Sequence, residues 1–399
     1  MKILKIKVDG LKLFPKTLEI DFLAQQRVRG EDNDALYCIT PKMYQNNALA
    51  FIGINASGKT LTLKVISFVI QMLNNRSINN TEGFEIFSGV TEGNQILFET
   101  YFCDKSEMVY RLTTTIRRMQ ESNETGGEYY IAKEELWGKD VASILTKKSI
   151  FDFSKSELIK NRQGDEAYLP EDVSIIIALN KKNDSKIYYQ DLIVWTNYNL
   201  PRIVGDMPKE LISFLDPSIE YLTAKFEEGP GGFDIRLKFK GKDEMILHAP
   251  MDLERYLSSG TIKGMNIFIN AMDILGRGGY LIIDELENHF NKEIAATLVR
   301  FFMDSKVNKK GAVIIFSTHY PEILDEFERN DAINIIRNIG GIEVENLSNI
   351  LTRNDMKKSE VYQSGYLQGT APAYEAYINL KRAIVDGTDS VDSEVSIWI

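Results

Sequence analysis

The chain has 399 residues and a net charge of −10, with 44% hydrophobic and 26% charged side chains, two cysteines and three histidines. That length exceeds what one small core fills and points to two lobes or one elaborated domain, while the hydrophobic share excludes a disordered chain. Cys38 and Cys103 are isolated and His248, His289 and His319 are scattered, which excludes a disulfide framework, a zinc ribbon and a His-x₃-His metal site.

The opening segment alternates apolar residues (Ile3, Leu4, Ile6, Val8, then Leu11, Leu13, Leu18, Ile20 and Phe22) and predicts a strand pair turned around Asp9-Gly10, followed by a polar loop from Gln25 to Asp34. Ala48 to Ile52 is a short, continuous apolar run that ends in glycine, as a buried parallel strand does. From Thr60 to Leu73 the apolar positions are dense enough for a largely buried helix. Between Gln95 and Trp137 four strand-like stretches, Ile96 to Phe98, Tyr101 to Cys103, Met108 to Leu112 and Tyr129 to Ile131, with turn residues at Asp104-Lys105-Ser106 and Asn123 to Gly127, predict an antiparallel meander. The stretch from Leu145 to Phe226 reads as mostly helical, broken at Pro170, Pro201, Pro208 and Pro217, and holds no sustained heptad repeat. A strand pair follows at Phe233 to Phe239 and Glu244 to His248. Helix 261–275, strand Tyr280 to Ile283, helix 291–303, strand Ala312 to Phe316 and a strand near Ile333 to Ile336 then alternate as parallel-sheet connections do. The remaining segment carries no further assignable motif.

Four motifs carry chemistry. Gly53-Ile54-Asn55-Ala56-Ser57-Gly58-Lys59-Thr60 is a complete GxxxxGK[ST] loop between the predicted strand and helix. Its glycines let successive backbone N–H groups turn inward around a phosphate, and the helix N-terminus adds its positive end. Lys59 is expected to reach the β- and γ-phosphates of a nucleotide and the Thr60 hydroxyl to ligate Mg²⁺. Tyr280-Leu281-Ile282-Ile283-Asp284-Glu285 is an apolar strand ending in two carboxylates: Asp284 suits the magnesium shell and Glu285 the polarisation of an attacking water. Leu257-Ser258-Ser259-Gly260-Thr261 places hydroxyls and a glycine at a helix start, which fits an anion site and equally an ordinary N-cap. His319 follows an apolar strand in Phe316-Ser317-Thr318-His319, where a structural histidine is the bland reading.

In this order the four motifs resemble the Walker A, signature, Walker B and histidine switch of the ATP-binding-cassette ATPases. The signature departs from the usual LSGGQ, with Ser259 for the first glycine and Thr261 at the end, but keeps Ser258 and Gly260. The resemblance implies an α/β fold: a P-loop ATPase head with a mixed or antiparallel lobe, a central, mostly parallel sheet and an α-rich insertion. The expected segments are a first ATPase lobe at 1–140, a mostly helical insertion at 141–232, a second lobe at 233–345 and a C-terminal extension at 346–399. It implies further that ATP and Mg²⁺ are bound, with Gly53, Asn55, Ala56, Ser57, Gly58, Lys59 and Thr60 in cis and Ser258, Ser259 and Gly260 touching the γ-phosphate from a second copy in a head-to-tail dimer. His319 is then expected to hold the γ-phosphate and the water, and Leu286-Glu287-Asn288-His289-Phe290 to form the loop that communicates across the dimer. A glutamine loop is implied too, for which Gln71, Gln95, Gln120 and Gln190 are all available.

Within that class, GFEIFSG, the strand pair around Phe98 to Tyr110, Lys133-Glu134-Glu135-Leu136 and Asp284-Glu285-Leu286-Glu287-Asn288 look like the stand-alone ATPases related to the overcoming-lysogenization-defect family and to AbiL-type abortive-infection operons, with Tyr366-Leu367-Gln368-Gly369 a looser match. That resemblance implies an ATPase that dimerises or forms higher oligomers around ATP and controls a separate effector, a nuclease, in defence against phage. The segment after His319 is shorter than a fused nuclease domain of about 100 residues, so the effector is expected on another chain. A DNA-repair ATPase of the RecF/SMC type that binds DNA directly is the alternative, although the acidic balance does not point to nucleic acid. No apolar run is long enough to span a bilayer and MKILKIKVDG has no signal core, so a cytoplasmic protein without a membrane partner is expected.

Overall fold

The computed structural model describes residues 1–30, 34–119, 129–163, 168–183, 185–194, 205–226, 233–288, 291–367, 369–370 and 374–391. The chain begins with β1 (Lys2–Asp9), β2 (Leu18–Asp21), β3 (Leu36–Thr40), β4 (Met43–Asn46), β5 (Ala48–Ile52) and α1 (Lys59–Leu73). A meander follows, β6 (Gln95–Cys103), β7 (Met108–Arg118), β8 (Tyr129–Asp140) and β9 (Glu157–Arg162), then α2 (Ile177–Asn183), β10 (Tyr189–Asp191), β11 (Gly205–Asp206) and α3 (Lys209–Leu215). The later elements are β12 (Ile219–Phe226), β13 (Phe233–Phe239), β14 (Met245–Leu247), α4 (Ser259–Arg277), β15 (Tyr280–Ile283), α5 (Lys292–Met303), β16 (Val313–Thr318), β17 (Ile333–Asn338) and β18 (Ile342–Asn346). Three helices close the described chain, α6 (Leu347–Ile350), α7 (Lys358–Gln363) and α8 (Tyr374–Val391).

The central sheet has the order β10-β15-β16-β5-β17-β18, parallel throughout except at the β18 edge. Its inner strands β15, β16 and β5 are buried on both faces, which is why they read as apolar runs in the sequence. Leu49, Phe51, Tyr280, Ile282, Val313 and Ile315 pack on one side with α1 and the antiparallel sheet β2-β1-β6-β7-β8-β9. Ala48, Ala50, Ile52, Leu281, Ile283, Ile314 and Phe316 pack on the other with α4, α5 and the four-stranded sheet β11-β12-β13-β14. Alternate residues of each central strand thus feed two separate cores, the layering expected of a mixed α/β protein.

The stretch 141–232 differs from its expected helical character. Among the described residues its α-helices are the seven-residue α2 and α3, while β9 extends the antiparallel sheet, β10 pairs with β15, and β11 and β12 join β13 and β14. It therefore completes three sheets rather than forming an α-rich insertion. Strands of two or three residues carry no readable period; their partners, not their sequence, make them strands. The strand pair at the N-terminus also differs in detail, since β1 ends at Asp9 and β2 resumes only at Leu18, with Phe14 N–H bonded to Leu11 O in the connection.

Candidate nucleotide site

Strand order brings the motifs together. β16 lies between β15 and β5, so the ends of three parallel strands deliver the acidic pair, His319 and the Gly53–Thr60 loop to one edge. That edge is the carboxyl end, where open α/β sheets receive ligands.

The loop is shaped by close packing. A Cβ on Gly53 would meet Ile336 O and Ser57 Oγ at 2.4 Å, and Gly58 sits at φ +103° as the N-cap of α1. Ala56 is also left-handed, φ 59°, a conformation costing about 1 kcal/mol for a residue with a side chain. Asn338 at the end of β17 donates to Ala56 O at 3.1 Å and braces this turn. The buried Ser57 hydroxyl has no hydrogen-bond partner among the described residues. Lys59 Nζ donates to Gly53 O (3.0 Å) and Ile54 O (3.1 Å) and lies 3.4 Å from His319 Nδ1. Burial holds the Lys59 ammonium below its ordinary pKa, opposed by the charges of Asp284, Glu285 and Glu287.

The acidic end is tightly interlocked. Thr60 Oγ1 donates to Asp284 Oδ2 at 2.6 Å, and the Ser317 hydroxyl donates to Asp284 Oδ1. Glu285 has φ +50° and its N–H donates to Ser317 Oγ at 2.7 Å. Its carboxylate accepts from Asn288 Nδ2 at 2.5 Å and lies 3.6 Å from His319 Nε2. Glu287, 7% exposed, accepts the His319 N–H on Oε1, while its Oε2 is buried with no partner among the described residues.

Lys59, Thr60, Asp284, Glu285 and His319, singled out from the sequence, therefore converge. Ser317 and Asn338 were not singled out, because nothing in their local sequence marks them, and Glu287 was expected in a loop that communicates across a dimer and not as the partner of His319; only neighbouring strands bring the three to the site. Ser258 does not join the cluster within one chain: its side chain caps α4, accepting from Thr261 N–H at 3.0 Å and pairing with the Thr261 hydroxyl at 2.8 Å. Ser259 and Gly260 lie in the first turn of that helix. Gln71 is buried in α1 and bonded to Ser67 and Glu82 O, Gln95 opens β6, and Gln190 sits on β10 beside β15. Gln120, His289, Phe290 and Gln368 lie outside the described residues.

The donor set suits Mg²⁺ and a nucleotide. Thr60 Oγ1 and the Asp284 carboxylate are hard oxygen ligands, and the glycine loop with the unpartnered Ser57 hydroxyl offers donors to phosphate.

This fold and this site have the arrangement of a P-loop nucleotide-binding site: a glycine-rich loop between a buried parallel strand and a helix, with a threonine–aspartate pair beside it. Residues 49–184 match the protein-family profile described as "AAA domain, putative AbiEii toxin, Type IV TA system", which begins within β5 and contains the whole Gly53–Thr60 loop. Among curated proteins none matches significantly. Among the described residues no helix is long and apolar enough to cross a membrane.

Proposed function

We propose that the chain binds ATP with Mg²⁺ at this edge of the sheet, hydrolyses it, and uses the cycle to control a separate effector in an abortive-infection type of phage defence. One observation carries the chemistry: the phosphate loop, the Thr60–Asp284 pair and Glu285 beside His319 meet at the ends of adjacent strands. The abortive-infection part is supported by the description of the profile over residues 49–184, a toxin of a toxin–antitoxin system, and by the motifs shared with the overcoming-lysogenization-defect ATPases.

In this reading the N–H groups of the Gly53–Gly58 turn and Lys59 bind the β- and γ-phosphates, and Thr60 and Asp284 hold the metal, which when bound neutralises charge on the phosphate oxygens. Glu285 accepts the proton of the attacking water, and His319, close to both Glu285 and Lys59, orients the terminal phosphate. Ser258, Ser259 and Gly260 complete the site from a second copy of the chain, since in their own chain Ser258 caps α4 and Ser259 and Gly260 form its first turn, apart from the cluster. The effector is a further chain, a nuclease by analogy with the resembling systems.

Substitutions test this. Lys59→Ala should abolish binding of a fluorescent ATP analogue. Glu285→Gln should keep binding but lose turnover by about 10²–10⁴-fold, the usual contribution of a general base. Hydrolysis by Glu285→Gln at the wild-type rate overturns the assignment of the base.

A second reading, direct DNA binding as in RecF/SMC-type ATPases, is favoured by one feature. Two adjoining concavities of about 580 and 530 Å³ share Arg27 and Arg29, and the second is also lined by Lys42 and Lys147. The buried Arg329–Asp331 pair fixes the backbone of this loop: Asp331 accepts the Gln26 N–H and Arg329 donates to Gln26 O. DNA binding that weakens steeply with salt and is lost in Arg27→Ala/Arg29→Ala supports it; salt-insensitive or absent binding rejects it.

A further inference from the structure

We propose that Ser317 is a positioning residue which ties the metal-binding carboxylate to the aim of the general base, and that Glu287 ties the histidine loop to the same unit. The inference rests on the ATPase reading above and deepens it.

The direction of the hydrogen bonds through Ser317 is fixed by chemistry. A backbone amide can only donate and a carboxylate can only accept, so Glu285 N–H gives to Ser317 Oγ and the Ser317 O–H gives to Asp284. One hydroxyl therefore contacts two neighbouring residues whose proposed tasks differ, metal ligand and base. It is fully buried, so water does not substitute for it. Glu285 needs such a restraint: its left-handed φ of +50° costs about 1 kcal/mol or more for a residue with a side chain, and such conformations persist only where neighbours over-determine them. Ser317 supplies two of those restraints, the side-chain bond to Glu285 N–H and its own carbonyl, which accepts from Leu286 N–H at 2.9 Å.

Glu287 makes the reciprocal link, from the loop after β15 to the His319 N–H after β16. A carboxylate buried with one oxygen that has no partner among the described residues is poorly explained by stability, since an unsatisfied buried acceptor costs free energy. Holding His319 against Glu285 accounts for it. The base loop and the histidine loop thus behave as one body, braced in both directions, and a shift at Asp284 is transmitted to Glu285 rather than absorbed.

The test uses the full chain with Ser317→Ala, Ser317→Thr, Glu287→Ala and Glu287→Gln. Outer-shell partners of metal ligands typically change affinity or activity by 10–100-fold, so Ser317→Ala should lose turnover by about that factor with KM for ATP little changed. The Mg²⁺ concentration that half-saturates binding of a fluorescent ATP analogue should rise, and Ser317→Thr, which keeps the hydroxyl, should restore both. Glu287→Gln keeps an acceptor for His319 N–H and should retain turnover that Glu287→Ala loses. Wild-type turnover and Mg²⁺ dependence in Ser317→Ala overturn the proposal, as does a Glu287→Gln loss equal to that of Glu287→Ala. If the wild-type chain itself neither binds nor hydrolyses ATP, the underlying ATPase reading fails instead.

Discussion

At the scale of single residues, the glycines of the phosphate loop were legible because the pattern exists for a backbone reason. A Cβ on Gly58 would meet the Ile342 side chain at 2.5 Å in a conformation, φ +103°, that side chains rarely adopt. Gly58→Ala should therefore cost about 1–3 kcal/mol in urea unfolding and weaken nucleotide-analogue binding together, because loop shape and stability share one cause. A substitution that leaves both unchanged contradicts this account. Lys59, Thr60 and Asp284 could be named in advance since strand-end and helix-start positions fix where they point. Ser317 could not: a serine inside an apolar strand looks unremarkable until Asp284 and Glu285 stand beside it on the next strand.

At the scale of elements, two side chains separate structural from functional roles. Ser258 caps α4, and its loss in Ser258→Ala should cost about 1 kcal/mol. Ser258→Asp keeps a capping oxygen but adds a negative charge where the second copy's phosphate is proposed to lie. The expected result is a near-normal melting temperature with turnover lost, and unaltered turnover would remove the signature from the site. Glu134 on β8 shows the other case. It is fully buried and accepts from Thr114 Oγ1 at 2.6 Å, Ser174 Oγ at 2.8 Å and Ile175 N–H at 2.7 Å, pinning the segment before α2 to the antiparallel sheet. Glu134→Ala strands these donors and should cost about 2–4 kcal/mol in urea unfolding. Burial pushes the Glu134 carboxyl above the ordinary carboxylate range, against the pull of these hydrogen bonds. A raised folded-state pKa means the native chain holds more protons there than the unfolded chain, so its contribution to stability falls as pH rises through that window. The unfolding free energy of the wild type relative to Glu134→Gln should decline as pH rises above the ordinary carboxylate range. None of this was visible in the reading of 141–232 as mostly helical, because apolar density without period does not distinguish short strands from helices.

At the scale of the whole molecule, the site as folded lacks a contribution from Ser258, which in its own chain is engaged with Thr261. The proposed remedy is a second copy, and it makes a mass prediction: Glu285→Gln with ATP and Mg²⁺ should run at twice the mass of the nucleotide-free chain in light scattering, and Lys59→Ala should not. A single mass under both conditions rules out the head-to-tail arrangement. The net charge of −10 keeps a protein partner the stronger expectation, while the Arg27–Arg29 loop shows that charge is unevenly distributed.

The sequence by itself determined the phosphate loop, the acidic strand end, the position of His319 and the buried parallel strands, because each depends on local backbone demands or on continuous apolar runs. Only the tertiary structure decided that β16 lies between β5 and β15, that the stretch after β8 completes three sheets, and that Ser317 and Glu287 bind the two loops together. Those features are pairings between segments far apart in the chain, and no local pattern encodes which strand will lie beside which.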